Sequence, residues 1–128
     1  MPLVRITLRH GKSPEFLRDA GNAIHEALVA QANVPADDRF QIIDEVPHDN
    51  LIAHPSYAGV ERSADLIIIE ITLNAGRSVE VKRALYADIA RRLQAAVDVR
   101  PDDVLINLVE VTKENWSFGK GLATYAQE

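Results

Sequence analysis

The chain has 128 residues, 47% of them hydrophobic, with a net charge of −5 and no cysteine. That length can bury the core of one domain without staples, and the absence of cysteine removes thiol catalysis and thiolate metal sites. The negative balance argues against non-specific nucleic-acid binding, and no run reaches the roughly 18 apolar residues of a membrane helix. Neither partner is expected, and a cytoplasmic location is the default.

Pro2 follows Met1 and opens a strand-like run, Leu3-Val4-Arg5-Ile6-Thr7-Leu8, and Arg5 and Arg9 interrupt any signal-peptide core. Residues 3–9 are predicted as a strand. Ser13 is a helix N-cap with Pro14 at the first helical position, and Phe16, Leu17, Ala20, Ile24 and Leu28 recur at helical spacing. Turn residues fill Asn33 to Asp38, and Phe40-Gln41-Ile42-Ile43 begins a second strand. Residues 48–65 form a linker. A third strand runs from Leu66 to Leu73, Ser78 caps a second helix with Val81, Leu85, Ile89 and Leu93 on its apolar face, and Val104 to Val111 closes the pattern. Residues 113–128 form a C-terminal tail.

The pattern repeats because the sequence does. Gly11-Lys12-Ser13 recurs as Gly76-Arg77-Ser78, an offset of 65 (76 minus 11) that also aligns Ile6-Thr7-Leu8 with Ile71-Thr72-Leu73. The same offset brings Ile24 onto Ile89, Leu28 onto Leu93, Asp37-Asp38 onto Asp102-Asp103 and Glu45-Val46 onto Glu110-Val111. Two βαβ units, about 1–47 and 66–112, therefore make up one domain. Each should cross over right-handed with parallel strands, and a pseudo-twofold axis joins them into a four-stranded mixed α+β sheet with both helices on one face. Leu66-Ile67-Ile68-Ile69 is apolar on consecutive residues, as in a strand buried on both faces. A second subunit is expected to cover the open face, making a homo-oligomer.

The chemistry-bearing residues are few. Once Met1 is removed, Pro2 is a secondary amine on a rigid strand. Free α-amino groups titrate at roughly 7.7–8.0, so such a group can act as a general base near neutrality. The alternative is a proline that merely starts a strand. Arg77 precedes the Ser78 cap, where a cation opposes the helix dipole unless an anion binds there. The alternative is a solvated charge, as its counterpart Lys12 illustrates. Asp38 has a duplicate in Asp103 at the same turn, so at least one copy is structural. Arg39 is a cation beside Asp38 or a salt-bridge partner. Trp116 and Phe118 either wall a pocket or anchor the tail. His48 and His54 lack companion ligands and His10 and His25 lack an acid–base partner by spacing, so no metal site is expected; Tyr86 reads as packing.

Pro after Met, the repeated βαβ, Val34-Pro35-Ala36-Asp37-Asp38-Arg39-Phe40-Gln41, Gly76-Arg77-Ser78 and Asn115-Trp116-Ser117-Phe118-Gly119 together resemble the tautomerase superfamily, and within it the malonate semialdehyde decarboxylase group. The resemblance implies a trimer around a central barrel of sheets, with Pro2 as the catalytic amine and Asp38 positioning water. It also implies that Trp116 and Phe118 border the pocket and that Arg77 is the second of two carboxylate-binding arginines. Ala75 stands where the first would be. The expected activity is cofactor-independent keto–enol or double-bond isomerisation of a small carboxylate by neutral Pro2, with Arg77 and Arg39 as binding cations. Decarboxylation or hydration through cationic Pro2 is the alternative, as is an idle trimer serving in binding or signalling.

Overall fold

In the computed structural model, which describes residues 2–125, each repeat folds as a βαβ unit. Strand β1 spans Leu3–Arg9, helix α1 Pro14–Ala32, β2 Phe40–Val46, β3 Ile67–Asn74, helix α2 Val79–Val97 and β4 Val104–Val111. The sheet order is β2-β1-β3-β4. Strands β1 and β2 run parallel, as do β3 and β4, whereas β1 and β3 pair antiparallel across the centre. The two βαβ crossovers thus meet at a pseudo-twofold axis.

The helices begin and end as the local sequence requires. The Ser13 hydroxyl accepts from the Phe16 N–H at 3.1 Å, and the Ser78 hydroxyl accepts from the Val81 N–H at 3.2 Å, each satisfying one orphan donor of the first turn. Asn33 and Asp98, equivalent at the repeat offset, end the helices in the left-handed region. Gly11 and Gly76 take φ of +122° and +129° in the loops before the caps, conformations that a side chain would strain.

Alternate residues of the central strands, Val4, Ile6 and Leu8 with Ile67, Ile69, Ile71 and Leu73, are buried against Ala20, Ile24, Ala27 and Leu28 of α1 and Leu85, Ile89 and Leu93 of α2. This corrects the expectation for Leu66 to Leu73. Leu66 is buried but lies before the strand, and only Ile68 turns its apolar side chain to the opposite face, alongside Glu70 and Thr72. Consecutive apolar residues here mark a strand entrance rather than a strand apolar on both sides. The helix-free face is nonetheless partly apolar: Leu3, Phe40, Ile42 and Val109 are exposed there, around an Arg5–Asp44 ion pair at 2.5 Å.

The linker is better ordered than its composition suggests. It contains short 3-10 turns at His48–Asn50 and Tyr57–Gly59, and Leu51 is buried. The Arg9 guanidinium donates to the carbonyls of His48, Leu51 and Ala64, fastening both ends of the linker to β1. Among the described residues no helix is long and apolar enough to cross a membrane.

Candidate active site

The sheet topology gathers the chemistry at one end. There β1 and β2 begin while β3 and β4 finish, so the N-terminus, the Asp38 turn, the Arg77 loop and the tail converge. Leu3 opposes Phe40 of β2 and Thr72 of β3; one further step in each register sets Pro2 between Arg39 and Leu73. Pro2 is buried. Met1, whose removal would free the amine, lies outside the described residues.

Asp38 is 6% exposed, at the rim of an open pocket of about 400 Å³ that it lines with Pro35, Asp37, Phe40, Phe118 and Thr124. Aromatic rings form the wall. Trp116 stacks on Phe118 at 5.3 Å between centroids, Phe118 on Phe40 at 5.9 Å, and Tyr125 meets the Phe118 ring edge-on at 5.6 Å. The Trp116 indole N–H donates to Asn74 Oδ1 at 2.7 Å, which pins the stack to the end of β3. Burial, and then the nearby Asp38 charge, push the Tyr125 hydroxyl above its ordinary pKa, because both disfavour a phenolate.

The two arginines turn elsewhere. Arg39 donates through Nη2 and Nε to Gln41 Oε1 at 2.9 and 3.2 Å, and Gln41 passes the contact on to the Gly21 carbonyl of α1. Gly21 permits this approach, since a Cβ there would lie 2.8 Å from Gln41 Oε1. Arg39 therefore sits on the flank of α1 and does not line the pocket. Arg77 is half-buried and donates from Nε and Nη2 to the Ala32 carbonyl, at 3.1 and 2.8 Å, and from Nη1 to the Asn74 carbonyl at 3.1 Å. Its charge rests at the C-terminal, negative end of α1, so it is compensated without a ligand. One N–H remains on each terminal nitrogen.

The other end of the sheet explains why the duplication does not make two such sites. Ile67 occupies the position of Pro2, and Asp103, 1% exposed, accepts from Ser63 N–H at 2.7 Å, Ser63 Oγ–H at 2.6 Å and Arg100 Nε–H at 3.3 Å. In the first repeat Pro35 replaces Arg100. Of the duplicated aspartates, Asp103 is the one bound into the linker.

Two family models, both described as tautomerase enzyme, match residues 38–119 and residues 2–61. The chain belongs to the tautomerase family. The chain is 42% identical to probable tautomerase YusQ of Bacillus subtilis over 96% of its own length and 97% of the relative's. It is 30% identical to probable tautomerase YrdN of the same organism, over 98% and 96%. Among solved structures it superposes on the FG41 malonate semialdehyde decarboxylase inhibited by 3-bromopropiolate, with a TM-score of 0.90, 37% identity and coverage of 96% and 93% of the two chains. A second malonate semialdehyde decarboxylase, described with decarboxylase and hydratase activities, gives 0.90 at 28% identity over 96% and 95%. A fused 4-OT described as a symmetric trimer gives 0.80 at 25% over 97% of each chain.

Three members of the pocket region were not among the sequence candidates. Phe40 and Tyr125 complete the ring cluster, and Asn74 joins Trp116 to the loop of Arg77. Phe40 carried a signal as an aromatic at the mouth of an edge strand. Tyr125 and Asn74 carried none, because their roles depend on where the tail folds back.

Proposed function

We propose that this member of the tautomerase family is a homotrimeric, cofactor-independent enzyme in which the Pro2 amine acts on a small carboxylate bearing a nearby carbonyl. The observation that carries the reading is that buried Pro2, just before β1, and buried Asp38, in the turn before β2, lie at the same end of the sheet, where Asp38 and aromatic rings line an apolar pocket. The protonation state of the amine decides the chemistry. Desolvation favours the neutral base, whereas a carboxylate favours the cation. Arg39 turns away to Gln41, and the charge of Arg77 is largely compensated by the Ala32 and Asn74 carbonyls. Asp38, buried at the same end of the sheet as Pro2, then moves the balance to cationic Pro2.

In that form the ammonium N–H hydrogen-bonds the carbonyl oxygen of a 3-oxo acid. The bond to the carboxylate carbon breaks, its electron pair enters the forming enolate, and carbon dioxide departs. A proton delivered from water to the enolate carbon completes the reaction and leaves hydroxide to be neutralised by solvent, with Pro2 still protonated. With an unsaturated acid, Asp38 would instead orient water for addition. Arg77 would hold the carboxylate through its remaining N–H groups. The likeness to two malonate semialdehyde decarboxylases supports this reading. Isomerisation by the neutral amine is the second reading, favoured by the names of the two Bacillus relatives. A trimer is supported by the likeness to the fused 4-OT and by the apolar residues exposed on the helix-free face.

The test uses protein from the native host, with intact mass confirming an N-terminal Pro2. Turnover of malonate semialdehyde and of an enolisable aryl pyruvate is measured across pH, beside Pro2→Ala. Decarboxylation that falls as pH rises through the amine titration supports the cation. Isomerisation that rises instead reinstates the base. Retained Met1, or full activity in Pro2→Ala, removes the amine mechanism.

A further inference from the structure

The two repeats provide an internal comparison for the turn that carries Asp38. Both turns share a left-handed cap, Asn33 or Asp98, and a backbone bond back to the helix, from the Val34 N–H to the Leu28 carbonyl at 3.4 Å and from the Val99 N–H to the Leu93 carbonyl at 3.5 Å. Each turn also closes on itself, the Asp38 N–H on the Pro35 carbonyl at 3.0 Å and the Asp103 N–H on the Arg100 carbonyl at 2.9 Å, and each has ties of its own. In the second repeat the Asp103 side chain is tied to Ser63 and Arg100. In the first, His25 of α1 contacts the Ala36 carbonyl through Nε2 at 2.8 Å, and Arg77 grips the helix end through Ala32. Position 25 corresponds to Ala90 in the copy, and position 77 to Lys12, which pairs with Asp65 instead. Both ties are therefore peculiar to the repeat with Pro2.

A carbonyl can only accept, so Nε2 carries the hydrogen, in the neutral ring or in the imidazolium alike. The bond persists in either charge state. Asn33, Pro35, Ala36 and Asp37 are exposed, while Val34 and Asp38 are buried, and the Asp38 N–H closes the turn on the Pro35 carbonyl, with the Ala36 carbonyl held by His25 inside it. Rotation of the peptide after Ala36 would distort this turn and so displace Asp38. We infer that His25 is a positioning residue for catalysis: by holding the Ala36 carbonyl it fixes the turn that presents Asp38 to Pro2. The inference rests on the reading of Asp38 given under the proposed function.

His25→Ala and His25→Gln are compared with wild type in amide hydrogen exchange over residues 33–39 and in turnover of the substrate found active. Gln retains an N–H at similar reach. In His25→Ala, exchange across 33–39 should accelerate about tenfold with the rest of α1 unchanged, and kcat should fall about tenfold or more with KM nearly constant, as expected when a catalytic group is misplaced by an ångström or less. His25→Gln should restore most of both. Unchanged exchange in His25→Ala overturns the inference, as does a fall in kcat that a folded His25→Gln does not recover. If Asp38→Asn turns over as wild type, the site reading fails and this role fails with it; if Asp38→Asn is impaired and His25→Ala is not, only the role of His25 fails.

Discussion

Replacing Arg77 with Ala separates a helix anchor from a substrate clamp. The side chain makes three charge-assisted bonds, two to the Ala32 carbonyl and one to the Asn74 carbonyl. Ala32 is 2% exposed, so water replaces the lost donors poorly. A hydrogen bond to a charged group contributes about 1.5–3 kcal/mol, but the two bonds sharing one carbonyl are not additive and the guanidinium is only half-buried. Loss of the cation at the α1 terminus adds a few tenths to about 1 kcal/mol. The total is about 2–3 kcal/mol, or a fall in Tm of roughly 8–12 °C for a domain of this size. Urea and thermal unfolding at one fixed protein concentration read the effect, since association also contributes to apparent stability. Arg77→Lys should recover little, because an ammonium cannot reproduce the fork. A Tm within about 2 °C of wild type, together with a large rise in KM for the carboxylate substrate, would refute the anchor and make Arg77 chiefly a clamp.

Asp38→Asn removes the charge that favours the Pro2 cation, so the amine pKa should drop and the high-pH fall in decarboxylase activity should move to lower pH; an unmoved limb would mean that Asp38 does not sense the amine. The same substitution should bring the Tyr125 hydroxyl down towards its ordinary pKa without removing the part due to burial, read by ultraviolet titration against a Tyr125→Phe control. Burial alone would raise Asp88, but hydrogen bonds from Arg92, Arg91 and Gln31 outweigh it and hold the carboxyl below its usual range; Asp103 is likewise depressed despite burial, by Ser63 and Arg100. A depressed carboxylate stabilises the fold above its unfolded pKa and loses that contribution as pH falls through the folded value, so stability should decline below about pH 4, less steeply in Asp88→Asn, which itself should cost about 1–2 kcal/mol at neutral pH. Gly76→Ala should lower stability by about 1–3 kcal/mol, because φ of +129° suits glycine alone; an unchanged unfolding midpoint would contradict that strain.

Both helices, with their serine caps, could be read from local sequence, because capping and periodicity involve residues three or four apart. The duplication carried the topology: once Gly76-Arg77-Ser78 repeats Gly11-Lys12-Ser13, two βαβ units and one end holding Pro2 follow from chain handedness. Pro2 was legible because it follows Met1 at the head of a strand and has only Ile67 as its counterpart, whereas Asp38, which the copy repeats as Asp103, and Trp116 and Phe118 stood out through the resemblance. The destinations of long side chains were not legible. Arg77 looked like a charge set against its own helix dipole, yet its side chain spans to the opposite end of α1, a helix that finishes 45 residues earlier in the chain. Arg39, adjacent to Asp38 in sequence, turns to the flank of α1, where it bonds Gln41 two positions on. His25 had no partner by spacing and finds the Ala36 carbonyl only because the chain reverses after Ala32. Local pattern determines where backbone elements start and stop; which flexible side chain meets which backbone carbonyl depends on contacts between segments distant in sequence, and only the assembled tertiary structure decides them.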